Sequence, residues 1–128
     1  MKEKITVEKI LIVDDSETIR SQLRTLLEED GYTILEAEDG SIGLDIASNT
    51  PDISLIICDF NMPEMDGITM SQKVKEIEHF ADLPIFMLTT ESTEELKKVG
   101  KEAGIMAWIV KPYEPNKLKA IIKKVLND

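Results

Sequence analysis

Ile10-Leu11-Ile12-Val13-Asp14-Asp15 decides how this chain reads. Four apolar residues in a row, without polar alternation, describe a strand covered on both faces. The pattern recurs at Leu55-Ile56-Ile57-Cys58, Pro84-Ile85-Phe86-Met87-Leu88 and Ala107-Trp108-Ile109-Val110. Thr33-Ile34-Leu35-Glu36-Ala37 is a further strand, and Glu36 marks it as an exposed edge. Helical spacing fills the gaps. Ile19, Leu23, Leu26 and Leu27 form one stripe, and residues 40–49 carry Ile42, Leu44, Ile46 and Ala47. Met70, Val74 and Ile77 form the next, then Leu96, Val99 and Ala103, then Leu118, Ile121, Ile122, Val125 and Leu126. Gly31 and Gly104 are stop signals, and Pro115 suits a first helical turn. Ser92-Thr93-Glu94-Glu95 reads as a capping box with Ser92 at the N-cap. The fourth helix, with the sparsest stripe, should be the least firmly docked. Strand and helix alternate throughout, which makes the fold class α/β, a parallel sheet with helices on both faces.

The composition narrows the function. The 128 residues amount to one domain. With 25 Asp and Glu against 15 Lys and Arg, the net charge is −10, unsuited to binding nucleic acid. A single cysteine, Cys58, excludes an internal disulfide, and with the single histidine, His79, it excludes a Cys/His zinc site. Cys58 reads as a core thiol and His79 as an exposed residue in polar surroundings. The longest apolar run, residues 105–110, is too short for a membrane span, and residues 1–8 carry no leader-like stretch. These features suit a cytoplasmic protein with no membrane partner. No linker divides the chain, so its output comes from this one domain or from its partners.

Ligands of parallel α/β sheets bind beyond the carboxyl ends of the strands. Asp14-Asp15 follows the first strand, Asp59 the third, Thr89-Thr90 the fourth and Lys111-Pro112 the fifth. Three carboxylates brought together repel and require a proton or a cation. Oxygen donors without imidazole or thiolate favour Mg²⁺. With the metal and Lys111 the site approaches neutrality and could accept a phosphoryl group, with Thr89 and Lys111 as donors to its oxygens. A carboxylate is a competent nucleophile for that transfer.

These residues make the chain recognisable. It resembles the receiver domain of two-component response regulators, most closely the stand-alone chemotaxis regulators of the CheY type. The resemblance rests on residues 10–16, on Cys58-Asp59-Phe60-Asn61-Met62-Pro63-Glu64-Met65-Asp66-Gly67, on residues 84–91 and on residues 107–113. It implies a flavodoxin-like five-fold βα domain with strand order 2-1-3-4-5, spanning residues 9–128 after a short extension of residues 1–8. It implies that Asp59 is the phosphoacceptor, and that Asp15, Asp59 and the Asn61 backbone carbonyl bind Mg²⁺, with Asp14 helping through water. Lys111 would pair with the phosphoryl group, next to a cis bond to Pro112. Thr89 and Trp108 would be the switch, with Trp108 where many relatives carry Tyr or Phe. Asn61 and Glu91 would tune dephosphorylation toward a short-lived phosphoryl state.

The same resemblance implies partners. The phosphodonor would be a CheA-like sensor histidine kinase and the target a protein such as a flagellar motor switch component, with a phosphatase possible and the regulator itself a monomer. The readout would be the face built from the fourth helix, fifth strand and fifth helix. Lys97, Lys98, Lys101, Lys117, Lys119, Lys123 and Lys124 gather near it. A phosphorelay intermediate that passes its phosphoryl group to a His-containing phosphotransfer protein is the alternative within the family. Outside it stand a Mg-dependent aspartate-nucleophile phosphohydrolase, for which Asn61 replaces the needed second acid, and an FMN binder, whose phosphate Asp14-Asp15 would repel.

Overall fold

The computed structural model describes residues 7–127, so most of the expected extension over residues 1–8 lies outside the described residues. The elements run β1 (Lys9–Val13), α1 (Glu17–Glu28), β2 (Thr33–Ala37), α2 (Gly40–Ser48), β3 (Ile53–Cys58), α3 (Gly67–Lys75), a single 3₁₀ turn (Glu78–Phe80), β4 (Ile85–Thr89), α4 (Glu94–Glu102), β5 (Ala107–Val110) and α5 (Pro115–Asn127). The five strands form one parallel sheet in the order β2-β1-β3-β4-β5, as the family resemblance implied.

The unbroken apolar runs follow from two covered faces. Leu11, Val13, Ile56, Cys58, Ile85 and Met87 point to the side packed by α2, α3 and α4. Ile10, Ile12, Leu55, Ile57, Phe86 and Leu88 point to the side packed by α1 and α5. Neighbours along one strand thus enter different cores. Burying each such side chain contributes about 1.5–3 kcal/mol, which makes β1, β3 and β4 the rigid floor of the sheet edge. β2 is an outer strand, and Glu36 on it is half-buried between Arg20 and Arg24 of α1.

The helix faces differ from the stripes in four places. Ile42, Val99 and Ile121 are exposed. α2 instead turns Gly40, Gly43 and Ala47 inward, and α4 turns Gly100 inward. A Cβ on Gly43 would stand 3.0 Å from Val13, so these faces are glycine surfaces against which the sheet packs closely, invisible to a count of large apolar residues. Ile77 packs on the core from beyond the end of α3. The capping box is also displaced: Thr93, not Ser92, is the N-cap of α4, accepting from the Leu96 N–H at 3.2 Å. That register puts Glu94 and Glu95 together in the first turn, where the helix dipole favours acids. Only Gly100 of α4 is buried, in keeping with a lightly docked helix.

Candidate functional site

β1 and β3 run side by side with Val13 opposite Cys58, so Asp14 and Asp59 leave the sheet as neighbours. The Asp59 N–H donates to the Val13 carbonyl at 3.0 Å, and the Asp14 N–H donates to the Ala37 carbonyl at 3.1 Å. Carboxylate oxygens of Asp14, Asp15 and Asp59 lie within 4.8 Å of one another; Asp14 and Asp59 are buried and Asp15 faces solvent. Lys111 leaves the end of β5, its N–H donating to the Thr89 carbonyl at 2.8 Å, and its bond to Pro112 is cis. Its Nζ donates to Asp14 Oδ2 at 2.9 Å and to Asp59 Oδ2 at 3.0 Å.

The local sequence builds this edge. Asp14 Oδ1 accepts from the Ser16 N–H at 2.9 Å, and Ser16 then caps α1. The loop after Asp59 folds back tightly, with the Gly67 N–H donating to the Phe60 carbonyl at 3.0 Å. A Cβ on Gly67 would stand 2.2 Å from the Asp59 carbonyl oxygen, so only glycine allows this approach. Asp66 caps α3, and Met62 and Met65 pack on the core as loop anchors.

Around this centre lie the other residues singled out by sequence. Thr89 is fully buried as the last residue of β4, and its hydroxyl accepts from the Glu91 N–H at 3.3 Å. Asn61 donates its amide to Glu91 at 2.8 Å, joining two loops across the mouth of the site. Trp108 on β5 donates its indole N–H to the Glu91 carbonyl at 2.8 Å. Glu91 thus ties Asn61, Thr89 and Trp108 into one network. Cys58 is buried, and burial pushes its thiol up to about 12, which keeps it protonated. His79 is exposed and tilted against Phe80.

The electrostatics fit a hard cation. Burial raises the Asp14 carboxyl above its ordinary value, while Lys111 and the Ser16 N–H act the other way. Burial alone would lower Lys111, but its hydrogen bonds to Asp14 and Asp59 prevail and raise it, so it stays an ammonium. Three carboxylates facing one ammonium leave two negative charges, and every donor in the cluster is oxygen. That set suits Mg²⁺. A groove of about 810 Å³ between α1 and the loop after β5 opens beside Lys111 and is lined by Ile19, Leu26, Thr90 and Tyr113.

Sequence inspection missed Gly100. A Cβ there would lie 2.8 Å from Trp108 Cζ3, so the indole occupies the space a side chain would take. In an open helix Gly→Ala gains about 1 kcal/mol. Here Gly100→Ala is expected to displace the ring and red-shift the emission of this sole tryptophan, with faster acrylamide quenching. An unchanged spectrum would mean that α4 moves instead.

Comparison with known proteins agrees with this geometry. Residues 10–123 match the family described as the response regulator receiver domain. The chain is 38% identical over 119 residues to a chemotaxis protein CheY homolog of Campylobacter jejuni, covering 92% of each chain. It is 35% identical over 116 residues, 90% of its length, to 14% of the sensor histidine kinase CheAY of Helicobacter pylori. The solved structure of chemotaxis protein CheY4 of Vibrio cholerae superposes with a TM-score of 0.89 at 37% identity, covering 94% of this chain and 100% of that one. Fold, site geometry and likeness converge: the chain belongs to the response regulator receiver domain family, among its CheY-type members.

Proposed function

We propose that this chain is a stand-alone response regulator whose Asp59 accepts a phosphoryl group from a histidine kinase. The reading is carried by one observation: the Lys111 ammonium bridges Asp14 and Asp59 inside a three-carboxylate cluster. An Asp59 oxygen attacks phosphorus, the phosphorus–nitrogen bond of a phosphohistidine breaks, and the imidazole keeps the electron pair and takes a proton. Lys111 and the Thr89 hydroxyl then serve as donors to the phosphoryl oxygens. Asp15, Asp59 and the Asn61 carbonyl would hold Mg²⁺, with Asp14 acting through water; when bound, the ion offsets the charge that gathers on those oxygens. Residues 9–128 form the receiver and residues 1–8 a short extension.

Phosphorylation adds charge and acceptors beside Thr89 and Lys111. Thr89 and Trp108 both connect to Glu91, so movement of either bears on the loop that leads into α4. The α4–β5–α5 face is the readout. It exposes Val99, Met106, Val110 and Ile121, with Lys97 and Lys101 beside Trp108. Lys119 departs from the expected basic patch: it pairs with Glu29 at 2.9 Å and belongs to the α1–α5 seam. Likeness to chemotaxis proteins, and to part of a kinase named CheAY, supports a chemotaxis pathway with a CheA-like donor and a target such as a motor switch protein. We place it in the cytoplasm as a monomeric signalling protein with no catalytic turnover of other molecules; among the described residues no helix is long and apolar enough to cross a membrane.

The test is intact mass after incubation with a small phosphodonor. A gain of one phosphoryl group with Mg²⁺, lost when a chelator is added beforehand, is expected. Asn61 and Glu91 should make the adduct short-lived; one persisting for many hours counts against their tuning role. No adduct under any condition removes the reading.

A further inference from the structure

The carboxylate cluster is tied to the edge of the sheet by a charged chain that its function does not use. Arg20, on α1 and largely buried, donates from Nη1 to the Asp14 carbonyl at 2.7 Å and from Nε to Glu36 Oε1 at 3.0 Å. Glu36 Oε2 in turn accepts from Arg24 Nε at 2.5 Å, and Arg24 also bonds Glu28 at 2.9 Å. The carbonyl held by Arg20 belongs to the peptide that joins Asp14 to Asp15, two of the three acids in the cluster. The preceding peptide is pinned by the Asp14 N–H on Ala37. Asp14 also has its own carboxylate fixed by Ser16 and Lys111, whereas Asp15 is exposed. The plane of the Asp14–Asp15 peptide therefore sets where the Asp15 carboxylate starts, and Arg20 holds that plane.

Resting on the magnesium-dependent reading above, we propose that Arg20, oriented by Glu36, is a positioning residue that presets Asp15 for the cation. A planar guanidinium suits the task because it serves two acceptors at a fixed angle, the backbone carbonyl on one side and Glu36 on the other. Lysine carries the same charge but lacks this fork. The role runs against simple electrostatics. A cation placed beside an acidic pocket weakens its hold on Mg²⁺ through space. Arg20 is retained there for geometry and acts through the backbone rather than on the ion.

That opposition gives the test its sign. Wild type, Arg20→Met and Arg20→Lys are titrated with Mg²⁺ by calorimetry, with urea unfolding run on each to confirm a folded chain. Loss of an outer positioning contact typically weakens metal binding 10–100-fold, so Arg20→Met is expected to bind about tenfold more weakly. Arg20→Lys should remain weakened although the charge is restored. A purely electrostatic role predicts tighter binding for Arg20→Met and wild-type binding for Arg20→Lys; a purely structural one lowers the urea midpoint and leaves the affinity alone. Either result overturns the assignment, and Arg20→Lys decides it if Arg20→Met does not fold. A wild-type chain that takes up no Mg²⁺ removes the magnesium reading and this role together, whereas equal binding by wild type and both variants removes only the role of Arg20.

Discussion

Asp59→Asn is expected to fold and to gain no phosphoryl mass under conditions that label the wild-type chain completely. The amide matches the carboxylate in shape, so the Gly67 turn beneath it and the β3 backbone are undisturbed. It removes one of three crowded negative charges and leaves Lys111 its 2.9 Å bond to Asp14. Stability should stay within about 1 kcal/mol of wild type, since one charged hydrogen bond is exchanged for a neutral one. The chemistry is lost outright, because an amide oxygen is a far poorer nucleophile than a carboxylate. Asp14 is a poor substitute: besides Lys111 its carboxylate also accepts from the Ser16 N–H, and it lies deeper, 3% exposed against 9% for Asp59. Intact mass decides the matter, and an adduct of undiminished yield in Asp59→Asn would place the acceptor elsewhere.

Lys111→Met should have the largest effect on stability at the site. It leaves Asp14 and Asp59 buried and adjacent without their cation, a change that typically costs 3–5 kcal/mol. The loss depends on pH with a definite sign. Asp14 already titrates above its ordinary 3.8, chiefly through burial, and Lys111 restrains that rise. Without Lys111 it rises further. Between 3.8 and the folded value the native state binds the extra proton, so stability falls as pH rises through that window. The deficit of Lys111→Met is therefore expected to be greatest near neutrality and to shrink on acidification. At the alkaline end the deficit shrinks again, this time through the wild type. Lys111 titrates above its ordinary 10.5, so wild type loses its contribution as pH rises through that raised value, and the variant has none to lose. Urea midpoints across pH test both limbs; a deficit that does not vary with pH would rule out the carboxylate origin. Phosphoryl uptake by the variant should slow by about two orders of magnitude, the usual effect of removing one preorganised donor.

Much of the site could be read from strand ends. Asp14, Asp59 and Lys111 each follow an apolar run, and parallel strands put their carboxyl ends on one edge, so convergence followed from topology before any distance was known. Asn61 and Glu91 were legible as positions, but their 2.8 Å bond was not, because it joins loops thirty residues apart. The helix faces were read less well. Val99 and Ile121 completed apolar stripes yet stand exposed, while Gly100 and Gly43 face the sheet. Periodicity scores side-chain size, whereas close packing here is achieved by side-chain absence.

The sequence by itself determined the alternation of strand and helix, the doubly covered sheet, and the identity of the residues at the carboxyl edge of its strands. These follow from local hydrophobic pattern and chain direction. Only the tertiary structure decided that Arg20 grips the peptide between two of the acids, that Glu36 is an anchor rather than merely a guarded edge, and that Trp108 fills the space left by Gly100. Each of those depends on the relative placement of elements distant in the chain, and such distances are set by packing rather than by any local pattern.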